Sequence, residues 1–415
     1  MNRLWPLTAR GTGALVLAIA CFIVANEVGI HELLYFGMLL LAVLGASIAS
    51  LYLTRRADTV ARSFMPDVAS VGRDARVTVR VGVRTAFPTP PGVWQDTLPK
   101  GVAGDAQGVF PALGSGLRGS DRIVELSYAV TGTRRGVHPI GPLSVRSTDP
   151  FGLARRRNVF GEKTHITVAP AVVDLPALRN FAGEAGGMLH TTTTQLGQGA
   201  DNLIARPYVP GDSMRRIHWR ATAHRDELMV RQEEQESTPE ATVVLDRGVL
   251  RWAGEAMQAP GADPGFEIAV SAAASVIARL AHDGYAVEVI DSDGTQLAER
   301  IDGGDMIEVE LVINGFAKLV ARRDDHLQQL PRVFSGVMTG PVVVITGRFD
   351  TADAAALAPI VHHSTLPVLL TVSPSAGSLE RAADLGWRVG RIGEESEIAP
   401  AWVNAVDRAA ANVLQ

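Results

Sequence analysis

Three stretches of the sequence hold side chains whose types and spacing could do chemistry. The first runs from Arg206 to Gln232, RPYVPGDSMRRIHWRATAHRDELMVRQ, and places six arginines, two histidines, a tryptophan and a Pro-Gly-Asp turn in 27 residues. The second is Asp246, which ends the apolar run ATVVLD. The third is the pair His362-His363. The chemistry on offer is respectively anion or nucleic-acid binding, hard-cation binding, and metal ligation or acid–base catalysis.

A nucleic-acid surface is basic, because neutralised phosphate supplies most of its affinity. From Asp201 to Gln235 the six arginines meet six carboxylates: Asp201, Asp212, Asp226, Glu227, Glu233 and Glu234. That balance argues against nucleic acid and favours ion pairs in which arginine forks meet carboxylates. Pro210-Gly211 reads as the centre of a turn, with Asp212 as N-cap of a short helix that carries Met214, Ile217 and Ala221 on one side. Arg216 and Arg220 share another face of that helix, and Trp219 offers a ring for an arginine to stack on. The stretch from Glu227 onward reads as extended. Consecutive histidines on a helix do not face one another, so His362 and His363 are not a ligand pair. There is no G-x-S-x-G nucleophile elbow, no H-E-x-x-H pair and no phosphate loop. No catalytic residue and no cofactor are expected.

The elements that must position these residues are legible along the 415-residue chain. Net charge is −5, so no general attraction to nucleic acid or acidic lipid follows, and the lone Cys21 excludes an intrachain disulfide or a cysteine-based zinc site. Residues 11–26 and 33–54 are uncharged, and each run, with its flanks, is long enough to cross a bilayer. Arg3 and Arg10 precede this pair, Arg55, Arg56 and Arg62 follow it, and acids lie between, so both termini and the body are expected on the cytoplasmic side. Residues 57–180 read as an all-β, sandwich-like domain, with period-two alternation at 75–85 and 121–132 and Gly/Pro punctuation between short strands. Residues 181–240 hold a Gly/Thr-rich linker and the arginine-rich segment. From 241 to 415 apolar strands alternate with helices, the pattern of a doubly wound parallel sheet, whose ligands sit at the strands' C-terminal ends. A multi-domain protein with a transmembrane hairpin over residues 1–56 is therefore expected.

Asp246 lies at such a strand end, and its setting resembles the von Willebrand factor A domain. In that family the first strand is followed by Asp-x-Ser-x-Ser, which helps to hold Mg²⁺. Here the stretch reads Asp246-Arg247-Gly248-Val249-Leu250, without either serine, and the family's later aspartate corresponds by pattern to Thr346-Gly347. Hard cations need several oxygen ligands, and Arg247 adds a repelling charge, so no metal is expected at this degenerate position.

The order Arg206-x-Tyr208-x-Pro210-Gly211-Asp212, Arg215-Arg216-Ile217-x-Trp219, then Ala221 to Ala223 and Leu228 to Arg231, resembles the signature of the DUF58 family of bacterial membrane-anchored proteins. The family's Ala-Arg pair reads Ala223-His224 here. Arg134-Arg135-Gly136, Gly141-Pro142 and Asp149-Pro150-Phe151-Gly152-Leu153 match the pattern upstream of it. The resemblance implies a non-enzymatic adaptor or scaffold working with a MoxR-type AAA+ ATPase in a chaperone-like or maturation system, alongside von Willebrand factor A or transglutaminase-like membrane proteins. A cell-envelope enzyme accessory and a divalent-metal-dependent adhesion module remain alternatives. The signature residues, Arg206 through Trp219 and Arg231, either form the partner contact or clasp the sandwich to the α/β domain, and the clasp is favoured because Pro210, Gly211, Asp212, Ile217 and Trp219 are residue types that fix a fold.

Overall fold

The computed structural model describes residues 5–53, 56–84, 90–113, 122–178, 203–208, 214, 217–225, 227–233, 239–336 and 338–406. These fall into two compact units. One comprises Met1–Ala171, Glu255–Glu267 and Ile313–Val320, and the other Val172–Gly254, Ile268–Val312 and Ala321–Gln415.

The first unit begins with α1 (Ala9–Val28) and α2 (His31–Leu53), joined by a turn at Gly29. Both helices are long and apolar enough to cross a membrane, and most of their surface is uncovered by protein. Thr8 caps α1, its hydroxyl accepting from the Gly11 amide.

The β-rich region follows as β1 (Arg56–Met65), β2 (Val68–Ser70), β3 (Asp74–Arg84), β4 (Gly92–Asp96), β5 (Val102–Gly104) and β6 (Gln107–Phe110), then β7 (Arg122–Gly132), β8 (Gly136–Ile140), β9 (Leu143–Thr148), β10 (Arg155–Phe160) and β11 (Thr164–Ala169). Two four-stranded antiparallel sheets, β1-β3-β7-β5 and β10-β9-β4-β6, share one core, and β2-β11-β8 adds a third sheet. The period-two alternation of β3 sends Val77, Val79, Val81 and Val83 into that core, against Trp94, Phe110, Tyr128 and Val145. A wholly buried ion pair pins it: Arg62 donates to Asp96 at 2.9 Å through Nε, and the Tyr128 hydroxyl donates to the same carboxylate at 2.8 Å.

Arg135 is equally buried. Its guanidinium donates to both oxygens of Glu267 at 2.8 and 2.7 Å, to the Phe316 carbonyl at 2.6 Å and to the Leu319 carbonyl at 2.8 Å. Every partner belongs to the two late segments that join the first unit, so one arginine ties both to the β-rich region.

The second unit contains a two-stranded ribbon, β12 (Leu203–Pro207) with β13 (Met229–Glu233), and between them α3 (Trp219–Arg225). The Asp212 N-cap of the expected helix lies outside the described residues; among those described, α3 begins at Trp219, Ile217 pairs with Val230 as an isolated bridge, and the His218 amide donates to the Met229 carbonyl. The remaining elements are β14 (Glu240–Leu245), α4 (Pro264–His282), β15 (Ala286–Ile290), α5 (Met306–Phe316), β16 (Thr339–Phe349), α6 (Thr351–Val361), β17 (Ser364–Pro374), α7 (Ser378–Asp384), β18 (Arg388–Arg391) and α8 (Ile398–Val406). The five strands run parallel in the order β15-β14-β16-β17-β18, a doubly wound sheet whose switch point lies between β14 and β16. α4 is apolar enough to pass for a third span, but most of it is buried within the fold.

Candidate functional site

The sheet's order directs attention to the C-terminal ends of β14 and β16, where such folds hold ligands. Asp246 emerges there fully buried. Its Oδ1 accepts from the Gly248 amide at 3.0 Å and from Ser292 Oγ at 3.1 Å, while its Oδ2 accepts from Thr346 Oγ1 at 2.8 Å. Both oxygens are thus occupied by the protein's own donors.

The place a cation would take near that carboxylate is filled by a guanidinium. The short 3₁₀ turn Val249–Arg251 carries Arg251 back over the strand ends. Its Nε lies 3.7 Å from Asp246 Oδ2, and its Nη2 donates to Asp325 at 3.0 Å and to Asp353 at 3.1 Å. Its Nη1 also donates to Asp353 and to the Arg348 carbonyl. Three carboxylates, from the end of β14, a loop and the first turn of α6, therefore converge on one arginine. The close approach requires Gly347: a Cβ there would stand 2.2 Å from the Arg251 carbonyl oxygen. The Trp252 indole closes the turn by donating to the Asp246 carbonyl at 2.9 Å.

Beside this cluster lies a second. Arg247 donates to Asp291 at 2.9 Å, and Arg322 donates to Asp291 at 3.0 Å and to Asp293 at 2.7 Å. Ser292 links the two clusters, since its hydroxyl also faces Asp291 Oδ1 at 3.4 Å. The positive charge expected from Arg247 is accordingly turned to Asp291, and the charge at the cation position comes from Arg251.

Electrostatics follow the geometry. Burial pushes the Asp246 carboxyl up to about 6, against the lowering effect of its hydrogen bonds from Gly248 and Thr346 and of the Arg251 charge. Burial also acts to raise Asp353, but the hydrogen bond and charge of Arg251 hold it below the usual carboxylate range. Asp293, with burial opposing, is brought down to about 2 by hydrogen bonds from Thr295 and Arg322. The arrangement is a charge-paired lattice. The von Willebrand factor A type of Mg²⁺ site does not fit these residues, because its oxygens are spent and a guanidinium stands among them. Among the described residues no cluster of three or more His, Cys, Asp or Glu could hold a metal ion.

The signature residues are divided. Pro210, Gly211, Asp212, Arg215 and Arg216 lie outside the described residues, as does the Gly/Thr-rich stretch at 183–199. Arg206 and Arg231 lie on β12 and β13, paired with Val230 and Ala205 respectively, and their side chains are likewise outside. The Tyr208 amide donates to the Leu228 carbonyl at 2.7 Å. Ile217 is buried with Met229 and Val230, whereas Trp219 is 70% exposed and α3 buries no side chain. Of those two, only Ile217 is placed to hold a fold. The His218 ring serves locally: its Nδ1 accepts from the Ala221 amide at 3.0 Å.

Sequence reasoning missed Arg251 altogether and met Arg135 only within the Arg134-Arg135-Gly136 pattern, because no spacing rule marks an arginine for burial among carboxylates far off in sequence. The only available signal was the absence of the metal-binding serines after Asp246, which leaves a strand-end carboxylate in need of another cation.

Residues 204–298 match the family model described as "Protein of unknown function DUF58". "Uncharacterized protein YeaD" of Bacillus subtilis (strain 168) is 23% identical over 258 residues, covering 60% of this chain and 63% of the relative, so the match spans less than two thirds of that protein. Among solved structures, von Willebrand factor type A from Catenulispora acidiphila is similar at 14% identity over 44% of each chain, with a TM-score of 0.27. The CARDB domain of the PF1109 protein from Pyrococcus furiosus is similar at 18% identity, over 28% of this chain and 94% of that one, with a TM-score of 0.19. The stretch matched by the DUF58 model, residues 204–298, contains the whole signature from Arg206 to Arg231.

Proposed function

We propose that this chain is a membrane-anchored, non-enzymatic adaptor whose signature segment meets a partner protein through Trp219. The observation that carries the reading is the position of that ring: 70% exposed, on a helix with no buried side chain, held up by a paired ribbon. Exposed tryptophan is costly in water and enriched among residues that dominate protein interfaces. Met214 and Leu228, also exposed, extend the apolar surface of the same segment. The edge of the parallel sheet, where a von Willebrand factor A-like domain would engage a metal-bridged ligand, is closed by its own arginines and aspartates, which favours a contact elsewhere. The partner is a MoxR-type AAA+ ATPase, with other von Willebrand factor A or transglutaminase-like membrane proteins in the same assembly. The body faces the cytoplasm, as the arginines flanking the hairpin favour.

Trp219→Ala tests this. Thermal unfolding of the variant should match the parent, since exposed substitutions usually cost within about 0.5 kcal/mol. Crosslinking pulldown from native membranes should lose the AAA+ ATPase. Capture of the ATPase at parental level by the variant rejects the contact, and a periplasmic signal from a reporter fused after Gln415 rejects the orientation.

A further inference from the structure

We propose that the loop spanning residues 149–154 is a third membrane element, seated in the lipid–water interface at the start of α1 with Phe151 as its lipid-facing anchor. The inference rests on the reading of α1 and α2 as membrane spans. Its position comes from four contacts. The Thr8 amide donates to the Leu153 carbonyl at 2.9 Å, and the Thr8 hydroxyl donates to the Gly152 carbonyl at 2.6 Å. Leu7 pairs with Ala154 as a bridge, and the Arg155 amide donates to the Pro6 carbonyl at 2.7 Å. Since α1 starts at Ala9 and needs nearly all of its 20 residues to cross the hydrocarbon, Thr8 stands at the boundary and the loop stands with it. The loop also reaches the first turn of the helix: a Cβ on Gly11 would meet the Leu153 carbonyl oxygen at 1.9 Å. Leu153 packs there on a cluster formed by Leu7, Leu44, Leu51 and Ala154.

The end of α2 lies at the same level. Arg156 donates to the Leu51 carbonyl at 3.1 Å and lies over the Tyr52 ring at 4.2 Å, so a cation and an aromatic ring mark the place where the second span leaves the bilayer.

The loop's own chemistry suits low polarity. A backbone facing lipid must have its polar groups satisfied from within. Here the Asp149 carboxylate accepts from the Phe151 amide at 2.9 Å and from the Ala154 amide at 2.5 Å. The Gly152 amide donates to the Asp149 carbonyl at 3.0 Å, the Asp149 amide donates to the Ala154 carbonyl at 3.1 Å, and Pro150 has no amide hydrogen to satisfy. The outward side chains are those of Pro150 and Phe151, the latter 63% exposed to solvent in the absence of a bilayer. Trp5, 53% exposed with its indole donating to Thr12 Oγ1 at 3.0 Å, supplies a second ring at the same end of α1. Aromatic rings at this depth form the belt characteristic of membrane interfaces. Lipid is the occupant favoured over a protein, because the loop is hydrogen-bonded to the start of α1, a span whose Val16 and Leu17 are left uncovered.

The test uses the full chain with Cys21→Ala, in vesicles of phosphatidylcholine and phosphatidylglycerol, carrying a nitroxide label at Phe151→Cys. Collision with oxygen, which partitions into lipid, should exceed collision with a water-soluble nickel chelate, as at a reference label on Leu39→Cys in α2. A label at Trp5→Cys should agree, which guards against a loop disturbed by the first substitution. Free access of nickel at Phe151 while Leu39 reads lipid overturns the loop assignment alone. Nickel access at Leu39 overturns the spans and the loop together. A label at Phe151 shielded from both reagents overturns lipid as the occupant and points to a protein cover.

Discussion

Arg251→Met removes the cation from the lattice at the sheet's C-terminal edge and keeps most of the side chain's bulk. In the parent, Arg251 neutralises Asp353 and Asp325 through direct hydrogen bonds and lies 3.7 Å from Asp246. Asp353 and Asp246 are buried, so neither regains hydration when the guanidinium is lost. Removing one partner of a buried ion pair costs about 3–5 kcal/mol. For a unit of this size that corresponds to a drop in melting temperature of about 6–20 °C. The loss should also depend on pH in a defined sense. Arg251 holds the Asp353 carboxyl below the ordinary value, so without it the folded-state pKa rises. A folded state that binds more protons than the unfolded state loses stability as pH rises, so the variant's deficit should be larger at pH 7 than at pH 5. Scanning calorimetry of the detergent-solubilised chain at both pH values reads this directly, and Mg²⁺ should leave the parent's transition unmoved. A variant that melts with the parent, or whose deficit is the same at both pH values, refutes the account of Arg251 as the lattice's cation.

Arg135→Met should cost a comparable 3–5 kcal/mol, about what a broken buried pair loses, and hydrogen exchange should speed up first in residues 255–267 and 313–320, which its guanidinium holds. Uniform exchange across the chain would contradict that role. Asp149→Ala strips the acceptor from two loop amides and should destabilise by about 1–3 kcal/mol, read by denaturant titration in detergent. Asp246 has a folded-state value of about 6 against an ordinary 3.8, so its protonated form favours folding and this contribution, about 3 kcal/mol at most, is lost as pH rises through 6. Asp246→Asn should abolish that slope in stability between pH 4 and 6. Asp293, held at about 2, acts in the opposite sense: its contribution is present above 3.8 and is lost as pH falls toward 2.

Local pattern made much of the fold legible. The uncharged runs at 11–26 and 33–54 need only length and composition, with their flanks, to become helices long enough to span a membrane. β3 and β7 alternate because an antiparallel strand buries one face, and β14, β16 and β17 are apolar and buried through their centres because a parallel sheet is covered on both. β1 and β10 were not legible in this way: RADTVARSFM and RRRNVF carry charges along edge positions and acquire their strand geometry from their neighbours β3 and β9. Helix propensity did not foresee that Ile217 pairs with Val230, a bridge between residues that a short helical window does not relate.

For the candidate site, the sequence by itself determined the position of Asp246 at a strand end, the absence of the serines that a hard cation would need, the balanced charge of the signature, and the resemblance carried by its order. The tertiary structure alone decided what answers the buried charges. Arg251 meets Asp325 and Asp353, Arg135 meets Glu267, and Asp149 caps the loop that abuts Thr8. Most of these pairings join residues tens to hundreds of positions apart. A buried arginine and an exposed one are identical in a sequence, and only the folded chain fixes which carboxylates it must face and which ring, Trp219 or Phe151, is left uncovered.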